Sequence, residues 1–217
     1  MIKAIIFDVD DTLIDFSKIS TSLVQETAKE LNIKPPNKKQ LDRVWGIPLR
    51  KSLKMLNIHV SYINFWKILF KKYLQHRKEF KQIPGTSKTI EKLKNKYILG
   101  VLSSKPKPIL ILQFRDTKIP YKYFKFKFAA SDTKYHKPNP KVFSKLIKKI
   151  HPIKRKEILY VGDTVYDYIA AKKANLNFVA VQTGHFGNKD FKKQGLKNKN
   201  IIKSIAQLPS WLNKNDK

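Results

Sequence analysis

The sequence contains no cysteine. That single absence excludes disulfide frameworks, cysteine nucleophiles and thiolate metal sites such as zinc fingers. Acidic residues are also few, 16 Asp+Glu against 46 Lys+Arg, for a formal net charge of +30. Arginine is scarce within that basic excess, at Arg43, Arg50, Arg77, Arg115 and Arg155 only. Near its start the chain has only a four-residue apolar stretch, Ala4 to Phe7, before its first carboxylate. This is too short for a signal h-region or a membrane span, so a cytoplasmic protein with no membrane partner is expected. What is present in quantity is core material. With 41% hydrophobic and 12% aromatic residues in 217, the chain can build one large domain or two modest ones.

A basic excess of this size points to nucleic acid, an anionic membrane surface or anionic substrates. Bidentate recognition of bases and phosphates favours arginine, however, and here lysine dominates. Lysines spread along the whole chain are read as solvated surface, with nucleic acid kept as the alternative partner. The segment Tyr121 to Phe128 interleaves aromatics with lysines. It reads as a strand with Phe124, Phe126 and Phe128 facing inward, rather than as a stacking platform for single strands. Nothing in the sequence specifies an oligomeric state.

Residues Lys3 to Val9 form a nearly continuous apolar run ending on acids, as in a buried strand of a parallel sheet. From Ser17 to Leu31, Lys38 to Leu56 (interrupted near Gly46-Ile47-Pro48) and Val60 to Phe80 the pattern is helical, with Ile63, Trp66, Phe70 and Leu74 as the apolar stripe of the last stretch. No strand pattern occurs in this block. After Pro84-Gly85, helices and strands alternate, with strands predicted at 97–102, 124–130, 158–162 and 178–182. Residues 188–200 are polar and read as an exposed loop. The expected fold is α/β, a doubly wound parallel-sheet (Rossmann-like) core from residues 1–15 and 83–217, with an inserted helical cap domain over 16–82.

Three predicted strand ends deliver polar residues: Asp8-Val9-Asp10-Asp11-Thr12, Ser103-Ser104-Lys105, and Gly162-Asp163-Thr164-Val165-Tyr166-Asp167. Carboxylates crowded at the end of a buried strand repel one another unless a cation sits among them, which points to an oxygen-ligand Mg2+ site. Lys137, before Pro138 and a predicted helix start, adds a fixed positive charge. An ammonium beside carboxylates and a metal suits a strongly anionic ligand such as a phosphoryl group.

DVDDT, VLSSK, HKPNPKVF and YVGDTVYDYIAAKKA, in this order and with a helical block after the first, resemble the four motifs of the haloacid dehalogenase-like hydrolase superfamily. The block, including Trp45-Gly46-Ile47-Pro48-Leu49, resembles the type I cap of its phosphoglycolate phosphatase-like branch. The resemblance implies a Mg2+-dependent phosphatase acting on a small phosphorylated metabolite, a phosphoglycolate-like phosphomonoester, through an aspartyl-phosphate. It implies Asp8 as nucleophile, Asp10 as general acid/base, Ser103, Ser104 and Lys137 around the phosphoryl group, and Asp8, Asp10 (through its backbone carbonyl), Asp163 and Asp167 around the metal. The presence of Asp10 argues against a dehalogenase. Ser20, where the family's sugar-phosphate mutases tend to carry histidine, argues against a mutase. Pyrophosphatase, nucleotide or nucleic-acid-end phosphatase and mutase stand as alternatives, and a non-catalytic binding protein is disfavoured by the intact motifs. Arg50 lies one residue from a position used for substrate anions in some relatives and reads better as a solvated cap residue. His136 and His185 read as incidental.

Overall fold

The computed structural model describes residues 1–47 and 49–216, so Pro48 of the expected Gly46-Ile47-Pro48 interruption lies outside the described residues. Six parallel strands form one sheet in the order β5 (Phe124–Phe128), β4 (Ile98–Leu102), β1 (Ala4–Phe7), β6 (Ile158–Gly162), β7 (Asn177–Val181) and β8 (Ile201–Ile202). Every residue of β1 is buried, as its unbroken AIIF requires when both faces of a sheet are covered. Ile5 and Phe7 face one apolar cluster with Val101, Phe114 and Leu208, supplied in part by the helices α5 (Thr86–Leu93), α6 (Lys107–Asp116) and α10 (Leu208–Asn215). Ala4 and Ile6 face the other, with Leu146, Tyr160 and Ala171, built with α7 (Ser144–Lys149), α8 (Val165–Lys173) and α9 (Asn188–Lys193). Each large side chain so buried contributes about 1.5–3 kcal/mol, and this burial is what holds the two helical layers to the sheet. Among the described residues no helix is long and apolar enough to cross a membrane.

The inserted block comprises α1 (Ser17–Glu30), α2 (Lys38–Asp42), α3 (Leu49–Met55) and α4 (Tyr62–His76). Its own apolar cluster centres on Leu53, Ile58 and Phe65. Asn37 caps α2 in a reciprocal box with Gln40, satisfying two backbone donors at once.

Three local expectations need correction. On α4 the buried residues are Phe65 and Tyr73, whereas Ile63 and Leu74, two of the four stripe positions, are 61% and 39% exposed. Nine of its 15 residues are apolar or aromatic and cover a wider arc than one stripe, so packing against α1 selects which of them face inward. Between Ser17 and Phe80 the described residues form no strand, as expected, but β2 (Ile14–Asp15) and β3 (Lys81–Gln82), just outside that span, pair antiparallel where the chain enters and leaves the block. Two residues are too few for any alternation to show. Residues 188–200 are not simply a loop, since α9 buries Phe191 completely in the second cluster. One apolar anchor in a six-residue helix has no periodicity to read. Finally, the register of β5 slips between Leu99 and Gly100 of β4, so Phe124 joins the first cluster while Phe126 and Phe128 join the second. A bulge of one residue turns every later side chain to the opposite face.

Candidate active site

β1 is flanked by β4 and β6 in aligned register, so their carboxyl ends meet where the strand order reverses, the usual ligand crevice of such sheets. Asp8 follows β1 and its N–H donates to the Val161 carbonyl at 2.8 Å; Ser103 follows β4 and donates to the Phe128 carbonyl at 2.9 Å. Asp163 follows β6.

Lys137 ties these ends together. Its Nζ donates to Asp8 Oδ1 and to Asp167 Oδ1, both at 2.6 Å, and to the Tyr160 hydroxyl at 3.2 Å. Tyr160 in turn donates to Asp167 Oδ1 at 2.9 Å. The other Asp167 oxygen accepts from Thr164 N at 3.0 Å and Thr164 Oγ1 at 2.5 Å, while the Asp167 N–H donates to Thr164 Oγ1 at 3.1 Å. Asp167 therefore closes the capping box that starts α8 and orients Lys137 with its remaining oxygen. Burial works against the Lys137 charge, but Asp167 and Asp8 outweigh it and hold the ammonium well above its usual range. Burial pushes the Asp8 carboxyl up to about 7, since Lys137 offsets the desolvation only in part and Asp167 adds repulsion.

Asp163 is 1% exposed. Its Oδ1 accepts from Thr12 Oγ1 at 3.3 Å, and its Oδ2 is buried with no hydrogen-bond partner. Burial, then Asp8 and Asp167, raise its pKa well above the carboxylate range. Asp8, Asp163 and Asp167 each offer an oxygen within 4.8 Å of the others. Two glycines make this crowding sterically feasible. A Cβ on Gly184 would sit 2.0 Å from Asp163 Oδ2, and one on Gly162 would sit 2.7 Å from Asp167 Cγ.

The Asp10 carboxylate stands apart from that cluster, with Oδ1 2.9 Å from Lys105 Nζ. Lys105 is 8% exposed and its Nζ lies 3.2 Å from the centre of the Phe16 ring. Burial lowers its pKa, with Asp10 acting against the shift. Asp11, at φ +52°, accepts the Phe16 and Ser17 N–H groups on Oδ1, both at 2.9 Å, and so fixes the start of α1. Ser103 Oγ accepts the Lys105 N–H at 3.2 Å, whereas Ser104 is exposed at the rim.

Ser20 is buried and donates to the Ser17 carbonyl at 3.2 Å. Arg50 is exposed, with its guanidinium 4.6 Å above the Tyr62 ring. His136 is exposed beside Lys137. His185 joins the loop after β7 to the helical block, with Nδ1 3.2 Å from Asp42 Oδ1 and its ring 4.2 Å from that of Trp45. Sequence reading assigned no role to Lys105, Tyr160, Thr164 or Thr12. Two of them left a trace: Thr164 and Asp167 stand at capping-box spacing, and Tyr160 carries a hydroxyl inside the buried run ILYVG. Above these groups a cavity of about 570 Å³ runs from Asp8, Asp10, Lys137 and Asp163 up between the inserted helices.

Several comparisons bear on this arrangement. Pyrophosphatase PpaX of Oceanobacillus iheyensis is 27% identical over 183 residues, covering 83% of each chain. Glyceraldehyde 3-phosphate phosphatase of Pyrococcus furiosus is 25% identical over 211 residues, covering 87% of this chain and 84% of that one. The structure of CbbY from Rhodobacter sphaeroides, in complex with phosphate, superposes with a TM-score of 0.84 at 17% identity and covers 98% of this chain and all of that one, a likeness of fold. The profile described as haloacid dehalogenase-like hydrolase matches residues 5–181, which contain all four strand-end and helix-start motifs, and the chain accordingly belongs to the haloacid dehalogenase-like hydrolase family.

Proposed function

We propose that the protein is a Mg2+-dependent phosphatase that cleaves phosphomonoesters through a phosphorylated Asp8, with residues 16–82 acting as a cap over a core of 1–15 and 83–217. The observation that carries this reading is the buried Lys137 ammonium shared by Asp8 and Asp167, beside an Asp163 oxygen that has no partner. Three buried carboxylates share one ammonium and crowd their oxygens together, a donor set that an oxygen-liganded divalent cation would complete. Asp8 and Asp163 would hold that cation, with the Asp10 main-chain carbonyl. Asp167, whose oxygens are engaged by Lys137, Tyr160 and Thr164, positions the lysine. The bound ion supplies charge neutralisation and polarisation of the phosphoryl oxygens.

The remaining chemistry belongs to the chain. A carboxylate oxygen of Asp8 attacks phosphorus, the bond from phosphorus to the ester oxygen breaks, and its electron pair leaves with that oxygen. Asp10, in its acid form, donates the proton that neutralises the leaving alkoxide. As a carboxylate it then takes a proton from water as the water oxygen attacks the same phosphorus. The bond to Asp8 breaks, inorganic phosphate departs and Asp10 is again protonated. Lys137 offsets charge on Asp8 and the transferring group throughout, and Ser103 hydrogen-bonds the phosphoryl oxygens. The cap excludes water during the first transfer.

The test is turnover of a phosphomonoester panel in Mg2+ by the wild type and by Asp8→Asn, together with acid-quench trapping of a phosphorylated wild-type chain. Loss of at least about 10⁴-fold in Asp8→Asn is expected. Robust turnover by that variant would overturn the mechanism. The name of the Oceanobacillus relative motivates a second reading, pyrophosphate as substrate, which the same panel decides.

A further inference from the structure

The cavity above Asp8 is large for the ligands the family resemblance brings forward, and its walls have the wrong character for them. At about 570 Å³ it holds on the order of 20 water-sized groups of ~30 Å³ each. A phosphoryl group fills about a quarter of that. The remainder lies between α1, α3 and α4, against Leu23, Val24, Leu53, Phe65, Trp66 and Leu69. Charged side chains enter this lining at the strand-end floor and its rim, and higher up only as Arg50, whose guanidinium lies over the Tyr62 ring. A leaving group that is itself a carboxylate or a second phosphate would find a single counter-charge in these walls, the exposed Arg50 on Tyr62, and the Leu, Val, Phe and Trp surface around the rest of it would offset none of its desolvation.

We infer that the substrate's leaving group is apolar, an alkyl or aryl chain of about a dozen non-hydrogen atoms on the ester oxygen. Its phosphoryl end is held at Asp8 and its tail is buried between the inserted helices. The inference rests on the phosphatase reading for the orientation of the ligand, and on the continuity of one cavity from Asp8 to the α1–α4 interface for the occupant. Burial of a tail in preformed apolar walls is uniform binding, so it lowers KM and leaves kcat nearly constant. Each buried methylene is expected to raise kcat/KM about fourfold, until the cavity is full.

Two measurements on the full chain test this. The first is kcat/KM in Mg2+ for n-alkyl phosphates from ethyl to octyl, with 2-phosphoglycolate and pyrophosphate alongside. The second is the affinity of the matching alkyl phosphonates, whose carbon–phosphorus bond is not hydrolysed, read from the fluorescence of Trp45 and Trp66 at the cavity. Expected results are a gain of at least a hundredfold in kcat/KM from ethyl to hexyl and a parallel fall in phosphonate Kd. Val24→Phe, which adds bulk to the wall, should cut the gain at hexyl at least tenfold. A flat or falling series with good turnover of phosphoglycolate or pyrophosphate overturns the apolar leaving group and leaves the phosphatase reading intact. Chain-length-dependent phosphonate binding without turnover of any ester does the reverse. A gain that survives Val24→Phe unchanged would place the tail elsewhere and also sink the inference.

Discussion

The strand-end site and the helical block above it are built on opposite principles. At the strand ends the polar groups are buried and nearly every bond is made to another buried polar group, as in the chain Asp8, Lys137, Asp167, Tyr160 and Thr164. Such a network accepts one arrangement, because any missing partner strands a charge away from water. In the block, the cavity walls are Leu, Val, Phe and Trp, whose contribution scales with area and is supplied almost equally well by other apolar residues of similar volume. On the proposed reading, directional bonds would fix the chemistry on phosphorus, and non-directional burial would shape what hangs from it. A chain built this way can change its leaving group without touching its reaction.

The contrast breaks most visibly if one residue from each region is removed. Lys137→Met leaves Asp8 and Asp167 without their ammonium. A loss of about 3–5 kcal/mol in urea unfolding and a fall in kcat of about 10²–10³ should appear together. Phe65→Ala opens the centre of the block and should cost a similar 3–5 kcal/mol, yet shift kcat for ethyl phosphate by no more than a few-fold. Equal effects on kcat from the two variants would erase the distinction between regions.

Next in size is the response to metal. Mg2+ at about 100 times its dissociation constant should stabilise the wild type by about 2.7 kcal/mol. Asp163→Asn should abolish that shift, measured as Tm with and without the ion, while leaving the metal-free Tm nearly unchanged, because burial and the neighbouring carboxylates already favour the neutral acid there. A metal-free Tm that drops sharply in Asp163→Asn would make that carboxylate structural.

How much of this was legible in the sequence follows the same division. The strand ends could be read because their chemistry needs particular residue types at fixed offsets, and Asp8, Lys137, Asp163 and Asp167 do converge. Lys105 could be read as part of a polar strand end but not given a role, because its partner Asp10 is 95 residues away and its neighbour Phe16 is 89 away, so no local spacing encodes the contact. The helices of the block could be located, but the inward face of α4 could not, as Ile63 and Leu74 show. A helix apolar on most of its surface gains its orientation from what packs on it. The β5 slip was invisible for a related reason: strict alternation of Phe and Lys describes an unbulged strand, and the extra residue is imposed by the partner strand.

The joint between the regions offers a smaller effect. Lys105 reaches from the strand end after β4 to Asp10 and to Phe16, the residue just before α1. Lys105→Met should free the Asp10 carboxylate from its ion pair and lower kcat about tenfold by loosening its aim, with Lys105→Arg recovering part of the loss. A kcat unchanged in Lys105→Met would show that Asp10 is held by its backbone alone.

The smallest expected effect lies wholly within the block. His76, at the end of α4, stands between Glu79 at 2.6 Å and Glu26 of α1 at 3.3 Å. The Glu79 hydrogen bond, aided by that to Glu26, raises its pKa above the ordinary 6.5 despite partial burial. Because the folded pKa is the higher one, the folded chain binds this proton more tightly. The stabilisation is therefore complete below pH 6.5 and is lost as pH rises through the folded value. For an ion pair this accessible the amount is a few tenths of a kcal/mol up to about 1. His76→Gln should flatten that part of the stability profile and leave the pH dependence of kcat unchanged. A variant that alters the kcat profile instead would mean that the α1–α4 joint reaches the strand ends, and the two regions would no longer be separable.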